Sequence, residues 1–321
     1  MKVVICLEKF SDWLEAYSIF YYFKGIDAVK VLYMESDRNN EKAVRALFEE
    51  FKGNISFEYE LARDKEEWVQ KIGASLGNLV CGDVLAAPLV RYRNVGAYVP
   101  VAREKGIMTV ELSEGLPDSF GCFGYRFGFR LRGGVNVINL LKQTIILPFF
   151  YFYSQTHKPD FCFYNMAPNV KIPFVKKTIQ AFIPKVEEKK KRYLQELTKG
   201  EKRPLLIAGF GYDINRMAAY LKVDKYIATS KMREIIIDGE RIPLDYYICA
   251  EEVLLSDCSD RIIGYNSTAI CWAYRIGGID ITCYESPGLN VICGFYGTFT
   301  RRTMKKCGLA LLPVCKEMMK K

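Results

Sequence analysis

The chain has 321 residues, 50% of them hydrophobic and 14% aromatic, which excludes a disordered polypeptide and points to two domains of about 150 residues each. Its formal charge is +9, with bases gathered between Lys185 and Arg203 and again in the tail from Arg301 to Lys321. No nucleic-acid-binding motif accompanies them, so nucleic acid is disfavoured, and an anionic membrane surface or a phosphate-bearing substrate is left as the partner.

In chain order, Val3 to Leu7 reads as a buried strand, Ser11 or Asp12 caps a helix through Tyr22, and Lys30 to Met34 is a second strand. A helix over Glu41 to Phe51, a strand over Ile55 to Tyr59, a helix over Lys65 to Leu76, a strand over Asp83 to Ala87 and a helix near Ala97 to Lys105 follow. Thr109 to Glu114 then predicts a strand that delivers Glu114 to a glycine turn at Gly115. This alternation implies a doubly wound parallel sheet in residues 1–155, and a carboxylate at a strand's carboxyl end is well placed to act as a general base.

Phe120 to Gly134 is loop-like and carries Arg126, Arg130 and Arg132. Val135 to Tyr153 is almost wholly apolar, yet its scattered polar residues and Pro148 favour a buried or surface-lying helix over a membrane span. The start, Met1 to Lys9, is too short and too soon charged for a secretory signal, so a cytoplasmic protein peripheral to the inner face of the membrane is expected. His157, the sole histidine, lies in a loop beside Pro159 with nothing in the sequence to orient it, which argues against a catalytic triad and excludes two-histidine metal sites. Residues 156–203 read as a basic linker region, with Glu187, Glu188 and Glu196 interleaved among its bases as on a solvated helix face.

Residues 204–321 restart the alternation. Pro204 to Ala208 is a strand followed by Gly209-Phe210-Gly211, a weak signal because the third glycine of a dinucleotide fingerprint is missing. A helix over Ile214 to Leu221, a strand from Tyr226, a hairpin over Glu234 to Pro243 turning at Asp238-Gly239, and the segment Ala250 to Leu255 come next. Arg261 to Tyr265 is a strand, and Asn266-Ser267-Thr268 opens a helix to Ile276 before a last strand from Ile279 to Cys283. Hydroxyls and N–H groups at that strand-to-helix junction suit a phosphate, and two such junctions in two halves suggest one shared cleft. Eleven cysteines without a Cys-x-x-Cys pair, with Cys6, Cys162, Cys271 and Cys283 inside apolar stretches, indicate reduced, buried thiols.

The order of these pieces resembles the two-domain bacterial sialyltransferases, the lipooligosaccharide and polysialic-acid enzymes of the glycosyltransferase family 52 kind. Ser113-Glu114-Gly115 is similar to the family's acidic-acidic-Gly motif, and Thr229-Ser230-Lys231-Met232-Arg233 stands where the family has Lys-x-His-Pro-Arg. Glu252-Val253-Leu254-Leu255 looks like its helix start, and Asn266-Ser267-Thr268 like its hydroxyl pair. The resemblance implies a GT-B architecture and metal-independent, inverting transfer of a sialic or related nonulosonic acid from a CMP-activated donor to a glycan or glycolipid acceptor, with no cofactor. It makes Glu114 the base, Lys231 the neutraliser of the leaving phosphate, Glu252 the ribose grip, and Ser230, Arg233, Ser267 and Thr268 nucleotide contacts. Lys231 replaces the family histidine, Met232 its proline and Ser113 its first acid, so another nucleotide sugar, or a silent relative that binds glycan or membrane, stays open. A homodimer stays open too.

Overall fold

The protein is described by a computed structural model covering residues 1–8, 10–34, 55–90, 93–112, 149, 152–153, 155–164, 175–180, 182–208, 212–229, 234–244, 248–265, 267–285, 304–305 and 308–319. Among them the chain divides into two compact units, the first reaching Ile183 and the second beginning at Pro184. The boundary falls inside the segment that reads as a linker, because strands from its first half complete the first sheet and a helix from its second half packs in the second unit.

The first unit holds β1 (Lys2–Leu7), α1 (Phe10–Tyr22), β2 (Ala28–Met34), β3 (Ser56–Ala62), α2 (Lys65–Gly77), β4 (Val84–Ala87), α3 (Arg93–Gly96), α4 (Tyr98–Glu104), β5 (Met108–Glu111), β6 (Phe161–Tyr164) and β7 (Lys177–Gln180). Its seven strands lie in the order β3-β2-β1-β4-β5-β6-β7, every neighbouring pair parallel. Strands buried on both faces need continuous apolar runs, and β1 meets that demand with five fully covered residues from Val3 to Leu7. Val4 and Cys6 pack with Trp68, Ile72 and Leu76 of α2 and with Val99 and Ala102 of α4. Ile5 points to the opposite face by alternation, the side on which Trp13 and Tyr17 of α1 are buried edge to face, ring centroids 5.0 Å apart. Asp64 starts α2 by accepting the Glu67 N–H at 2.9 Å, which satisfies one of the helix's orphan donors.

The second unit holds α5 (Glu188–Thr198), β8 (Leu205–Ile207), α6 (Ile214–Leu221), β9 (Ile227–Thr229), β10 (Glu234–Ile237), β11 (Glu240–Pro243), α7 (Ala250–Leu255), β12 (Arg261–Tyr265), α8 (Thr268–Ile276), β13 (Asp280–Tyr284), β14 (Leu311–Leu312) and a 3-10 turn, Lys316–Met318. Its seven strands run β11-β10-β9-β8-β12-β13-β14. All pairs are parallel except the β9–β10–β11 edge, where β10 and β11 form the hairpin read from the sequence. Asp238 (φ 53°) and Gly239 (φ 88°) give that turn the left-handed pair that matches strand twist. Tyr212, Met217 and Met318 cover one face of this sheet, packing with Leu206, Ala228, Ile236 and Ile263.

Both halves are mixed α/β units with parallel-dominated sheets, compatible with two Rossmann-like domains. In each, the strand order reverses between the first strand and the fourth parallel one, β1 and β4 in the first unit and β8 and β12 in the second. Such a reversal opens a crevice at the carboxyl ends of the strands, the usual ligand position in open α/β sheets. Among the described residues no helix is long and apolar enough to cross a membrane. The helix expected at Glu41 to Phe51 lies outside the described residues, as does most of Val135 to Tyr153.

Candidate functional site

In the second unit the reversal is built for close approach. Gly264 of β12 pairs with Ile207 of β8, and a Cβ on it would stand 2.6 Å from the Ile207 Cβ and 2.9 Å from its carbonyl oxygen, so only glycine lets the two carboxyl ends lie together. From there β12 leads through Ser267 into α8. Ser267 is the N-cap residue, extended at φ −107° and ψ 166°, and its N–H donates to the Tyr265 carbonyl at 2.7 Å. Among the described residues its hydroxyl is buried, finds no hydrogen-bond partner and does not cap the helix. The first-turn N–H groups of α8 have no intrahelical acceptors and carry the positive end of its dipole. A buried hydroxyl without an acceptor beside a helix amino terminus can receive an oxyanion, phosphate above all. Ser267 and Thr268, expected together from the sequence, are therefore set side by side at the reversal, Ser267 as the cap residue and Thr268 as the first helical one.

Tyr212, just before α6, donates its hydroxyl to the Glu285 carbonyl at 2.7 Å beyond the end of β13. Burial raises its phenol to about 12, so it stays neutral and serves as a strut. Asp213 caps α6 by accepting the Arg216 N–H at 3.1 Å. Gly209, Phe210 and Gly211 lie outside the described residues, and so do Ser230, Lys231 and Arg233.

Glu252, expected as a ribose grip, has both carboxylate oxygens engaged within the protein. It is 2% exposed, its Oε2 accepts the Cys249 N–H at 3.0 Å, and its Oε1 accepts from Lys190 Nζ at 2.6 Å. Both oxygens are held by the protein, so the glutamate closes the start of α7 and ties it to α5, and reaching a ribose would first require breaking a buried ion pair. Lys190 corrects the reading of its own run as well. It is 1% exposed rather than solvated, because α5 packs with that side toward the second unit's core. No local signal separates Lys190 from its charged neighbours. Glu251 is buried too, and desolvation pushes its carboxyl above the usual range. The same cause raises the Cys249 and Cys283 thiols, the latter to about 12, which removes both as nucleophiles.

The first unit's reversal has another chemistry. Asp12 in the first turn of α1 is fully buried and accepts the Glu8 N–H at 3.0 Å, and Glu15 one turn later is 3% exposed. Glu111 ends β5, fully buried, its Oε2 accepting the Val90 N–H at 2.8 Å just past the end of β4. The strand stops at Glu111 rather than Glu114 because its ladder partner β4 stops at the paired Ala87. Sequence reasoning passed over Asp12, Glu15 and Glu111 as site residues, although a carboxylate inside an apolar strand, as at Glu111, was the available signal. Ser113, Glu114 and Gly115 lie outside the described residues.

His157 has a local role. Its ring stacks on Tyr153 with centroids 3.6 Å apart, and its Nδ1 lies 2.9 Å from the Tyr153 carbonyl oxygen. Among the described residues no group of three or more His, Cys, Asp or Glu side chains could hold a metal ion. The chain matches no protein-family model, and no curated protein matches it in sequence.

Proposed function

We propose that the protein is a glycosyltransferase of GT-B architecture that holds a nucleotide-activated sugar, a CMP-linked sialic or related nonulosonic acid, at the β12–α8 junction of its second unit. The observation that carries this is the buried Ser267 hydroxyl, left without an acceptor at the amino terminus of α8 where the strand order reverses. A phosphate there completes the hydroxyl at the positive end of the helix dipole.

In the reaction the acceptor hydroxyl attacks the anomeric carbon as the bond from that carbon to the phosphate oxygen breaks, so the configuration inverts. The electron pair leaves with the CMP phosphate, whose charge Ser267, Thr268, the helix terminus and Lys231 balance. Lys231 acts as a fixed charge, since an ordinary lysine pKa of about 10.4 makes it a weak proton donor. Glu114 takes the acceptor's proton. Glu252 contributes by holding α7 in place rather than by touching ribose. The acceptor is a surface glycan or glycolipid, and the enzyme works peripheral to the inner face of the membrane.

Melting the full chain with CMP, UDP and GDP tests the reading. Stabilisation by CMP alone is expected; stabilisation by another nucleotide instead assigns a different donor to the same site, and none of the three raising the melting temperature overturns the nucleotide site. Glu114→Gln is expected to slow transfer by about 10²–10⁴-fold with CMP affinity unchanged. Equal loss of both would make the carboxylate structural.

A further inference from the structure

Residues 311–319 run from the outer edge of the second sheet to the start of α6, and nearly all of their order is borrowed from those two places. A two-residue strand and a single 3-10 turn are too short to be stable alone, so the segment depends on its anchors. At one end β14 pairs with the last residues of β13, Cys283 with Leu311 and Tyr284 with Leu312, and the Glu285 N–H donates to the Leu312 carbonyl at 2.9 Å. At the other, the Asp213 N–H donates to the Met318 carbonyl at 2.9 Å, and Arg216 Nη1 donates to the Met319 carbonyl at 2.8 Å. Between them Cys315 and Met318 are buried in the core that contains Met217 and Ile263, while Leu312, Pro313, Lys316 and Glu317 are exposed.

One side chain joins the two ends. The Tyr212 hydroxyl donates to the Glu285 carbonyl at 2.7 Å and accepts the Cys315 N–H, and its backbone bridges to Met319. The end of β13, the start of α6 and residues 311–319 therefore meet on one buried phenol. When an anchor is lost, the others hold a segment without stability of its own, so it should come away whole.

The neighbours of this segment connect it to the site. Tyr284, which pairs with Leu312 on one side, pairs with Tyr265 of β12 on the other, and the Tyr265 carbonyl accepts the Ser267 N–H at 2.7 Å. On its opposite flank β12 is fixed where Gly264 pairs with Ile207. β13 is thus the flank of the β12–α8 junction that can yield, and residues 311–319 hold its end.

We propose that residues 311–319 are a strap that opens and closes on Tyr212 as one unit, and that its closed state sets the end of β12 so that Ser267 receives an anion. Closure and anion binding then favour each other, because a ligand shifts an equilibrium toward the state that it binds better. The coupling rests on the phosphate site proposed above, whereas the cooperative strap does not.

Hydrogen exchange read by mass spectrometry on the full chain tests both parts. Without ligand, Tyr212→Phe removes the hydroxyl and keeps the ring. Exchange of the strap, of Glu285 and of Tyr265 and Ser267 should quicken together, about tenfold, with the β10–β11 hairpin at the far edge of the sheet unchanged. Arg216→Gln takes away a different anchor and should quicken the same amides. Different sets of amides in the two variants, or a strap that loosens while Tyr265 and Ser267 keep their protection, would overturn the proposal. With CMP bound to the unaltered chain the strap should exchange more slowly, a response that a merely structural clasp would not give. CMP that binds by calorimetry yet leaves strap exchange as it was overturns the coupling. Failure of CMP to bind at all counts against the nucleotide reading, and the ligand-free comparison still decides the strap.

Discussion

The two units share one wiring diagram and use it for opposite chemistry. At the first reversal, β1 and β4 are followed by buried carboxylates, Asp12, Glu15 and Glu111. At the second, β8 and β12 meet across Gly264 and lead to the hydroxyls of Ser267 and Thr268 at a helix start. The same topology thus carries buried carboxylates at one reversal and two hydroxyls at a helix start at the other, where we propose that a phosphate binds. The contacts of the buried charges can be set side by side. The second buries Lys190 against Glu252, a contact between residues 62 apart in sequence, whereas the first draws backbone N–H groups onto its carboxylates. Topology supplies the crevice, and the residues at strand ends decide what it admits.

The largest expected effect strikes the second unit's ion pair. Lys190→Met leaves Glu252 buried without its cation and should cost about 3–5 kcal/mol in denaturant unfolding. Lys190→Met with Glu252→Leu should recover part of that loss, and a loss from the double variant equal to the single one would deny that the pair is the cause.

Next comes Gly264→Ala, which places a methyl group against Ile207 backbone and side chain. The expected cost is about 1–3 kcal/mol by thermal melting. No loss would mean that β8 and β12 can part freely, and the comparison of the two reversals would lose its steric half.

Ser267→Ala separates capping from binding. A capping serine ordinarily contributes about 1 kcal/mol to stability, but this hydroxyl caps nothing, so the melting temperature should hold. CMP affinity, read by calorimetry, should fall about tenfold, the equivalent of one charge-assisted hydrogen bond of roughly 1.5 kcal/mol. A lowered melting temperature with unchanged affinity would reverse the assignment.

The smallest effects are in pH dependence, where the units should move in opposite directions. For Asp160 of the first unit, burial pushes the carboxyl up, but Lys176 and the N–H and hydroxyl of Thr109 outweigh it and hold it below the usual range. A lowered folded pKa contributes stability above the ordinary carboxyl pKa of about 3.9 that is lost as pH falls through the folded value. Asp160→Asn should therefore weaken the fold at neutral pH and flatten its acid-unfolding limb. Desolvation raises Glu251 of the second unit, so its folded form holds a proton longer than the unfolded chain does, and stability declines as pH rises from about 4.3 toward the folded pKa. Glu251→Gln should accordingly stabilise the protein at neutral pH and leave it unchanged in acid. Melting curves across pH check both signs.

Much of this fold was legible in the chain. Val3 to Leu7, Arg261 to Tyr265 and the Asp238-Gly239 turn announce themselves, because a strand covered on both faces must be apolar throughout and a two-residue hairpin must have left-handed residues. The cysteines Cys6, Cys162, Cys271 and Cys283 read as buried, and all four are. The hydroxyl pair at Ser267 and Thr268 was legible for a similar reason, since the change from strand to helix period marks the junction locally.

What was hidden depended on partners far along the chain. Lys177 to Gln180 reads as linker because an edge strand exposed along most of its length needs no apolar pattern, and only its pairing with β6 makes it part of the first sheet. Lys190 and Glu252 look like solvated or dipole-favoured charges until folding brings α5 against α7, and then each becomes the other's counter-ion. The amino-acid order by itself determined which segments are strands and helices and that two α/β halves follow one another, since hydrophobic period and turn chemistry act between near neighbours. Only the tertiary structure decided which strands lie side by side, where each sheet reverses, and whether a given carboxylate is free for a ligand or already spoken for, because those depend on contacts that no local pattern encodes.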